Sequence, residues 1–142
     1  MESLHYLLMK AQSMFSRRIM SEAGRIGLTS GQPKILDFLL QNQEADQKTI
    51  AAYCEIEPAT VGSILLRMAE AGLVVRRQQE GNRRSLYVSL TDKGMEAAKK
   101  LADIFQRAEQ EITQELSREE VCTLKESLWK ICGTMQEKGR RI

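Results

Sequence analysis

A chain of 142 residues, 42% hydrophobic and 28% charged, has the size and composition of one core-building domain. Its single histidine (His5), its three cysteines (Cys54, Cys122, Cys132) without a CxxC pair, and the lack of a Ser/His/Asp set or a phosphate-cradling glycine loop argue against an enzyme, a zinc site and a disulfide framework, so no catalytic residue, metal or cofactor is expected. No apolar run reaches the roughly 18 residues that span a bilayer, and Met1 to Lys10 lack the order of a signal peptide, which leaves a cytoplasmic protein with no membrane partner as the expectation.

Leu4, Leu7, Leu8, Ala11, Met14, Phe15 and Ile19 recur at steps of three and four, which predicts a first helix ending near Gly24 to Gly27. Thr29 or Ser30 is expected to cap a second helix, with Pro33 in its first turn and Ile35, Leu36, Leu39 and Leu40 on its apolar side. Gln41 to Asp46 reads as a polar loop. Asp46 then caps a short helix holding Ile50, Ala51 and Cys54, and Glu55-Ile56 turns the chain into another helix begun by Pro58. Val61, Ile64, Leu65 and Met68 give that helix one buried face, and Gly72 stops it. The period changes at Val74-Val75-Arg76-Arg77, and Ser85 to Leu90 alternates with period two. Two strands about the Gly81-Asn82 turn make a hairpin. Thr91 caps a long helix carrying Ala98, Leu101, Phe105, Ala108, Ile112 and Leu116. Ser117 and Glu120 form a capping box for the last one, lined by Val121, Leu124, Leu128, Ile131 and Met135.

The net charge of +2 conceals an uneven distribution. Val74 to Lys100 holds seven basic residues against three acids, and Leu101 to Glu120 holds two against six. A basic stretch centred on a hairpin is the footprint of a polyanion partner. The order short helix, turn, helix, hairpin is a helix-turn-helix followed by a wing. Ala59, Thr60, Gly62, Ser63 and Arg67 lie off the buried face of the second helix. Small side chains there let the backbone enter a major groove about 12 Å wide, and Thr60, Ser63 and Arg67 can bond base edges or phosphates. Arg83 and Arg84 sit beside the hairpin tip, where a guanidinium meets the negative potential of a minor groove. Arg76 and Arg77 point to opposite faces of their strand, and one of them can lie along the backbone. The fold class expected is mainly α with a small β-wing.

At these residues the chain resembles the MarR/SlyA family of winged-helix transcription regulators. Ile50-Ala51, Thr60-Val61, Met68 to Val74, Arg76-Arg77 through Asn82-Arg83-Arg84, and Val88 to Gly94 match that family's motifs without a gap. The resemblance implies a DNA-binding regulator, a repressor relieved by a small-molecule effector. It also implies a homodimer whose terminal helices interlace, and a pseudo-palindromic double-stranded operator. The implied organisation is a winged helix-turn-helix over 29–91, with dimerisation helices over 1–27 and 92–142 of a single domain. The DNA-binding residues carried over are Ala59, Thr60, Gly62, Ser63, Arg67, Arg76, Asn82, Arg83 and Arg84. Asn82 departs from the family's usual Asp, which holds a wing arginine by an ion pair. A pocket between the dimerisation helices and the winged helix is also implied, with Met14, Phe15, Phe38 or Phe105 as lining candidates. Two alternatives stand beside this reading. One is a thiol-based redox regulator on the same scaffold, using Cys54, Cys122 or Cys132. The other is a winged-helix protein-interaction module.

Overall fold

Each helix begins where a side chain or a proline deals with its unpaired first N–H groups. Ser3 accepts from the Tyr6 amide at 3.3 Å and starts α1 (Leu4–Ala23). In the computed structural model, which describes residues 1–79 and 82–141 (the side chains of residues 79, 82–85 and 137–141 excepted), nine further elements follow. They are a 3-10 turn (Gly24–Ile26), α2 (Gln32–Gln41), β1 (Glu44–Asp46), α3 (Gln47–Cys54), α4 (Pro58–Glu70), β2 (Val74–Gln79), β3 (Asn82–Leu90), α5 (Asp92–Ile112) and α6 (Arg118–Arg141). The fold is mainly helical with a small three-stranded antiparallel sheet of order β1-β3-β2. Contacts divide the chain into a unit over 1–106 and one over 107–142. Among the described residues no helix is long and apolar enough to cross a membrane.

Two expectations about local structure are corrected. Neither Thr29 nor Ser30 caps α2. Gly31, at φ 86°, occupies the cap position, and the Gln32 side chain reaches back to accept from the Thr29 amide at 3.0 Å. Only glycine takes that backbone without strain. Pro33 does fall in the first turn. The segment read as a polar loop contains β1, whose Glu44, Ala45 and Asp46 pair with Ser89, Val88 and Tyr87.

Asp46 then caps α3, its carboxylate accepting from the Thr49 amide at 2.7 Å. Hydrogen bonding by the Thr49 side chain, and then by its amide, holds the Asp46 carboxyl below the usual carboxylate range. Its contribution is therefore present at neutral pH and is lost as pH falls through the lowered folded value. Asp46→Ala is expected to cost about 1 kcal/mol in urea denaturation at pH 7, with the difference from wild type shrinking below about pH 4.

The core of the first unit collects Ile35, Leu36 and Leu39 from α2, Ile50 from α3, Val61, Leu65 and Met68 from α4, Val88 from β3 and Leu101 from α5. Helix α4 ends in a Schellman motif. The Leu73 amide donates to Met68 O at 2.9 Å and the Gly72 amide to Ala69 O at 3.0 Å, with Gly72 at φ 78°. Thr91 caps α5, accepting from the Gly94 amide at 3.0 Å and donating to Gly72 O at 2.6 Å. On α5 the buried residues include Ile104, which carries no weight in the periodicity noted above, whereas Ile112 is exposed and Leu116 lies exposed beyond the helix. In the second unit the capping box is complete: Glu120 N–H donates to Ser117 Oγ and Ser117 N–H to Glu120 Oε1, both at 3.1 Å. Leu124, Leu128, Ile131 and Met135 of α6 are exposed, as are Leu4, Leu7, Leu8 and Met14 of α1.

Candidate nucleic-acid interface

Helix α4 has three faces, and its sequence spacing generates all of them. Val61, Leu65 and Met68 are fully buried and anchor the helix. Ala59, Gly62, Ser63 and Leu66, at i, i+3, i+4 and i+7, form a second stripe. Of these, Ala59, Ser63 and Leu66 are exposed and Gly62 is half-buried. Thr60, Ser63, Ile64 and Arg67 form a third stripe, which faces a cavity. Ile64, expected in the core, is instead half-exposed on this cavity wall.

The helix-turn-helix is pinned at its crossing. Glu55 turns the chain in the left-handed region at φ 54°, and Pro58 starts α4. Gln47, at the start of α3, donates from Nε2 to Pro58 O at 3.4 Å. A Cβ on Gly62 would stand 3.0 Å from that same Nε2. Gly62 therefore admits Gln47 between the two helices, a role in packing that adds to its small size on the helix surface.

The cavity has a volume of about 610 Å3. Phe15 and Ile19 of α1, Pro33 and Lys34 of α2, the α4 stripe and Phe105 of α5 are among the residues that line it. Phe15 and Phe105 were candidates for such a lining; Met14 and Phe38 do not line it. Met14 is exposed, and Phe38 is buried with its ring centroid 4.6 Å from that of Tyr53. Among the described residues that line it, the charged side chains are Lys34 and Arg67, and none is a carboxylate. The cavity is thus apolar with a positive rim.

The two strand arginines differ in their surroundings. Arg76 pairs with Val88 and shares the inner sheet face with Val74, where it is half-buried. Arg77 lies on the outer face, ion-paired with Glu44 and 5.8 Å from the centroid of the Tyr87 ring. The backbones of Asn82, Arg83 and Arg84 run in β3. Their side chains lie outside the described residues, as does the Gly81 half of the expected turn. Among the cysteines, Cys54 is buried, and burial pushes its thiol above the usual value, which makes it unreactive. Cys122 and Cys132 are exposed on α6. Among the described residues, no group of three His, Cys, Asp or Glu side chains is placed to hold a metal ion.

Residues 28–86, which span α2 through the first half of β3, match the MarR family model. The chain is thus similar to MarR-family proteins over its winged helix-turn-helix. Its relatives include the HTH-type transcriptional regulator FarR of Neisseria gonorrhoeae, 27% identical over 89% of this chain and 86% of that protein. The same fold recurs in the S. aureus MepR–DNA complex, with a TM-score of 0.86 at 22% identity over 95% of this chain and 99% of that one. NadR in complex with 4-hydroxyphenylacetate superposes with a TM-score of 0.75 at 25% identity, covering 92% of this chain and 93% of that one. Leu66 is the residue of the exposed α4 stripe that sequence reasoning missed. The signal was available, because it stands seven residues after Ala59.

Proposed function

We propose that this chain is a DNA-binding transcriptional regulator of the MarR family, a homodimeric repressor whose hold on a pseudo-palindromic operator is relieved by a small-molecule effector. The observation that carries the proposal is the double exposure of α4. One stripe lines a cavity and the next is open to solvent, so a ligand in the cavity touches the same helix that meets the DNA. Ala59, Gly62 and Ser63 enter the major groove. Thr60 and Arg67 stand at its cavity-side edge, where they reach phosphate or ligand. Arg83 and Arg84, with Asn82 beside them, form the basic wing, and Arg76 supports it from the inner sheet face.

The apolar cavity with Lys34 and Arg67 on its wall suits an effector with an apolar body and a negative group. The 4-hydroxyphenylacetate bound by NadR has that make-up. To release DNA, the effector must bind the DNA-incompetent arrangement more tightly than the competent one. The exposed leucines of α1 and of α6 supply the apolar surface for dimerisation by 1–27 and 92–142, which leaves 29–91 as the DNA-binding region. A two-fold dimer sets two α4 helices about one DNA turn apart. The site of action is the cytoplasm, where such a regulator meets DNA, and no catalytic activity is part of the reading.

Selection of duplexes from a random-sequence pool, followed by fluorescence anisotropy, tests this. The expected result is a two-fold-symmetric site bound at nanomolar level by two protomers, with affinity falling about a thousandfold between about 50 and 200 mM salt. Recovery of no consensus, or binding that is equally weak on every duplex, overturns the proposal.

A further inference from the structure

We infer that Leu66 is a specificity-determining residue of α4 and that it reads the C5 methyl group of a thymine in the major groove. This rests on the reading that α4 is the helix that enters the groove. The large apolar side chains of α4 are otherwise accounted for. Val61, Leu65 and Met68 are buried in the core, and Ile64 lines the cavity. Leu66 is 47% exposed and belongs to neither. It stands one turn beyond Gly62 and Ser63 on the open stripe, seven residues from Ala59, so the part of the helix that approaches DNA most closely carries a branched apolar chain at its centre.

Its neighbours make hydrogen-bonded base readout sparse on that stripe. Ala59 and Gly62 have no side-chain donor or acceptor. The Ser63 hydroxyl donates to Ala59 O at 3.4 Å. With small residues before it, the helix backbone can lie deep, and Leu66 reaches the groove floor. The major-groove edges of the base pairs offer donors, acceptors and one apolar group, the thymine methyl. Only that group rewards a leucine. A·T pairs would then be chosen at this position by the methyl of one strand, and not by an amide or guanidinium.

Deoxyuridine differs from thymidine by that methyl alone, which makes the test direct. Each thymine of the duplex selected by the wild-type protein is replaced in turn by deoxyuridine, and anisotropy is read for the wild-type, Leu66→Ala and Leu66→Met proteins. One symmetric pair of thymines is expected to matter, weakening wild-type binding about fourfold per methyl, the value of one buried methyl-sized group. Leu66→Ala, which suits a helix at least as well as leucine, is expected to bind the thymine duplex about tenfold more weakly and to be indifferent to deoxyuridine. Leu66→Met keeps the sensitivity. The inference is overturned if no replacement weakens the wild-type protein, or if Leu66→Ala and deoxyuridine act additively. If no duplex is selected at all, the regulator reading falls and this inference falls with it.

Discussion

Gly94→Ala is expected to destabilise the first unit by about 3 kcal/mol, lowering its thermal midpoint by roughly 10 °C. The sign is the informative part. Replacing glycine by alanine within a helix ordinarily stabilises by about 1 kcal/mol, and Gly94 lies in the first turn of α5. A Cβ there would stand 1.9 Å from the Leu73 carbonyl oxygen and 3.3 Å from Leu90 Cδ2. The carbonyl cannot retreat cheaply, because it accepts the Thr91 amide at 3.1 Å. Thr91 also bonds Gly72 O and the Gly94 amide, and Lys93 Nζ donates to Ala71 O at 2.8 Å. The start of α5, the end of α4 and the entry to β2 are therefore one knot, tied through glycine at its closest approach. Urea denaturation of wild type and Gly94→Ala measures the cost. A variant as stable as wild type would mean that α5 is not docked this closely.

Arg84→Ala is expected to weaken operator binding about ten- to a hundredfold and to lower the salt slope by about one, with folding stability unchanged. Arg77 is held by Glu44 and lies over Tyr87, and Arg76 shares the inner face with Val74 and Val88. On the proposed reading, Arg83 and Arg84, beside Asn82, are the cations with which the hairpin meets a minor groove. Arginine inserted there answers a focused negative potential and is not replaced by lysine without loss. Arg84→Lys should thus keep the salt slope and recover only part of the affinity. Anisotropy across a salt series separates these effects. Undiminished affinity in Arg84→Ala would remove the wing from the interface.

The helices and most of their ends were determined by sequence alone, because the physics there is local. A cap needs only a carboxylate or hydroxyl near three free amides, which is why Ser117, Glu120, Asp46 and Thr91 are recognisable from residue type and spacing. Pro58 and Gly72 mark the start and stop of α4 for equally local reasons. The helix-turn-helix and wing followed from the order of such signals, and the resemblance to the MarR/SlyA family from the motifs that match it without a gap.

What the tertiary structure decided is which neighbour each exposed or ambiguous residue meets. Glu44-Ala45-Asp46 has no strand signal of its own. It is a strand because β3 offers a free edge on which to pair. Spacing of i, i+3, i+4, i+7 fits Val61-Ile64-Leu65-Met68 and Ala59-Gly62-Ser63-Leu66 equally well, so periodicity cannot say which stripe is buried. The packing of α1, α2 and α5 around the cavity turned Ile64 toward it and left Leu66 in solvent. Arg76 and Arg77 are indistinguishable as letters. Only the pairing of β1 to β3 brought Glu44 to one of them. Gly31 replaced the two hydroxyl residues before it as the cap of α2 because the chain enters that helix at positive φ, a demand set by where α1 and α2 must lie and not by any residue's own preference.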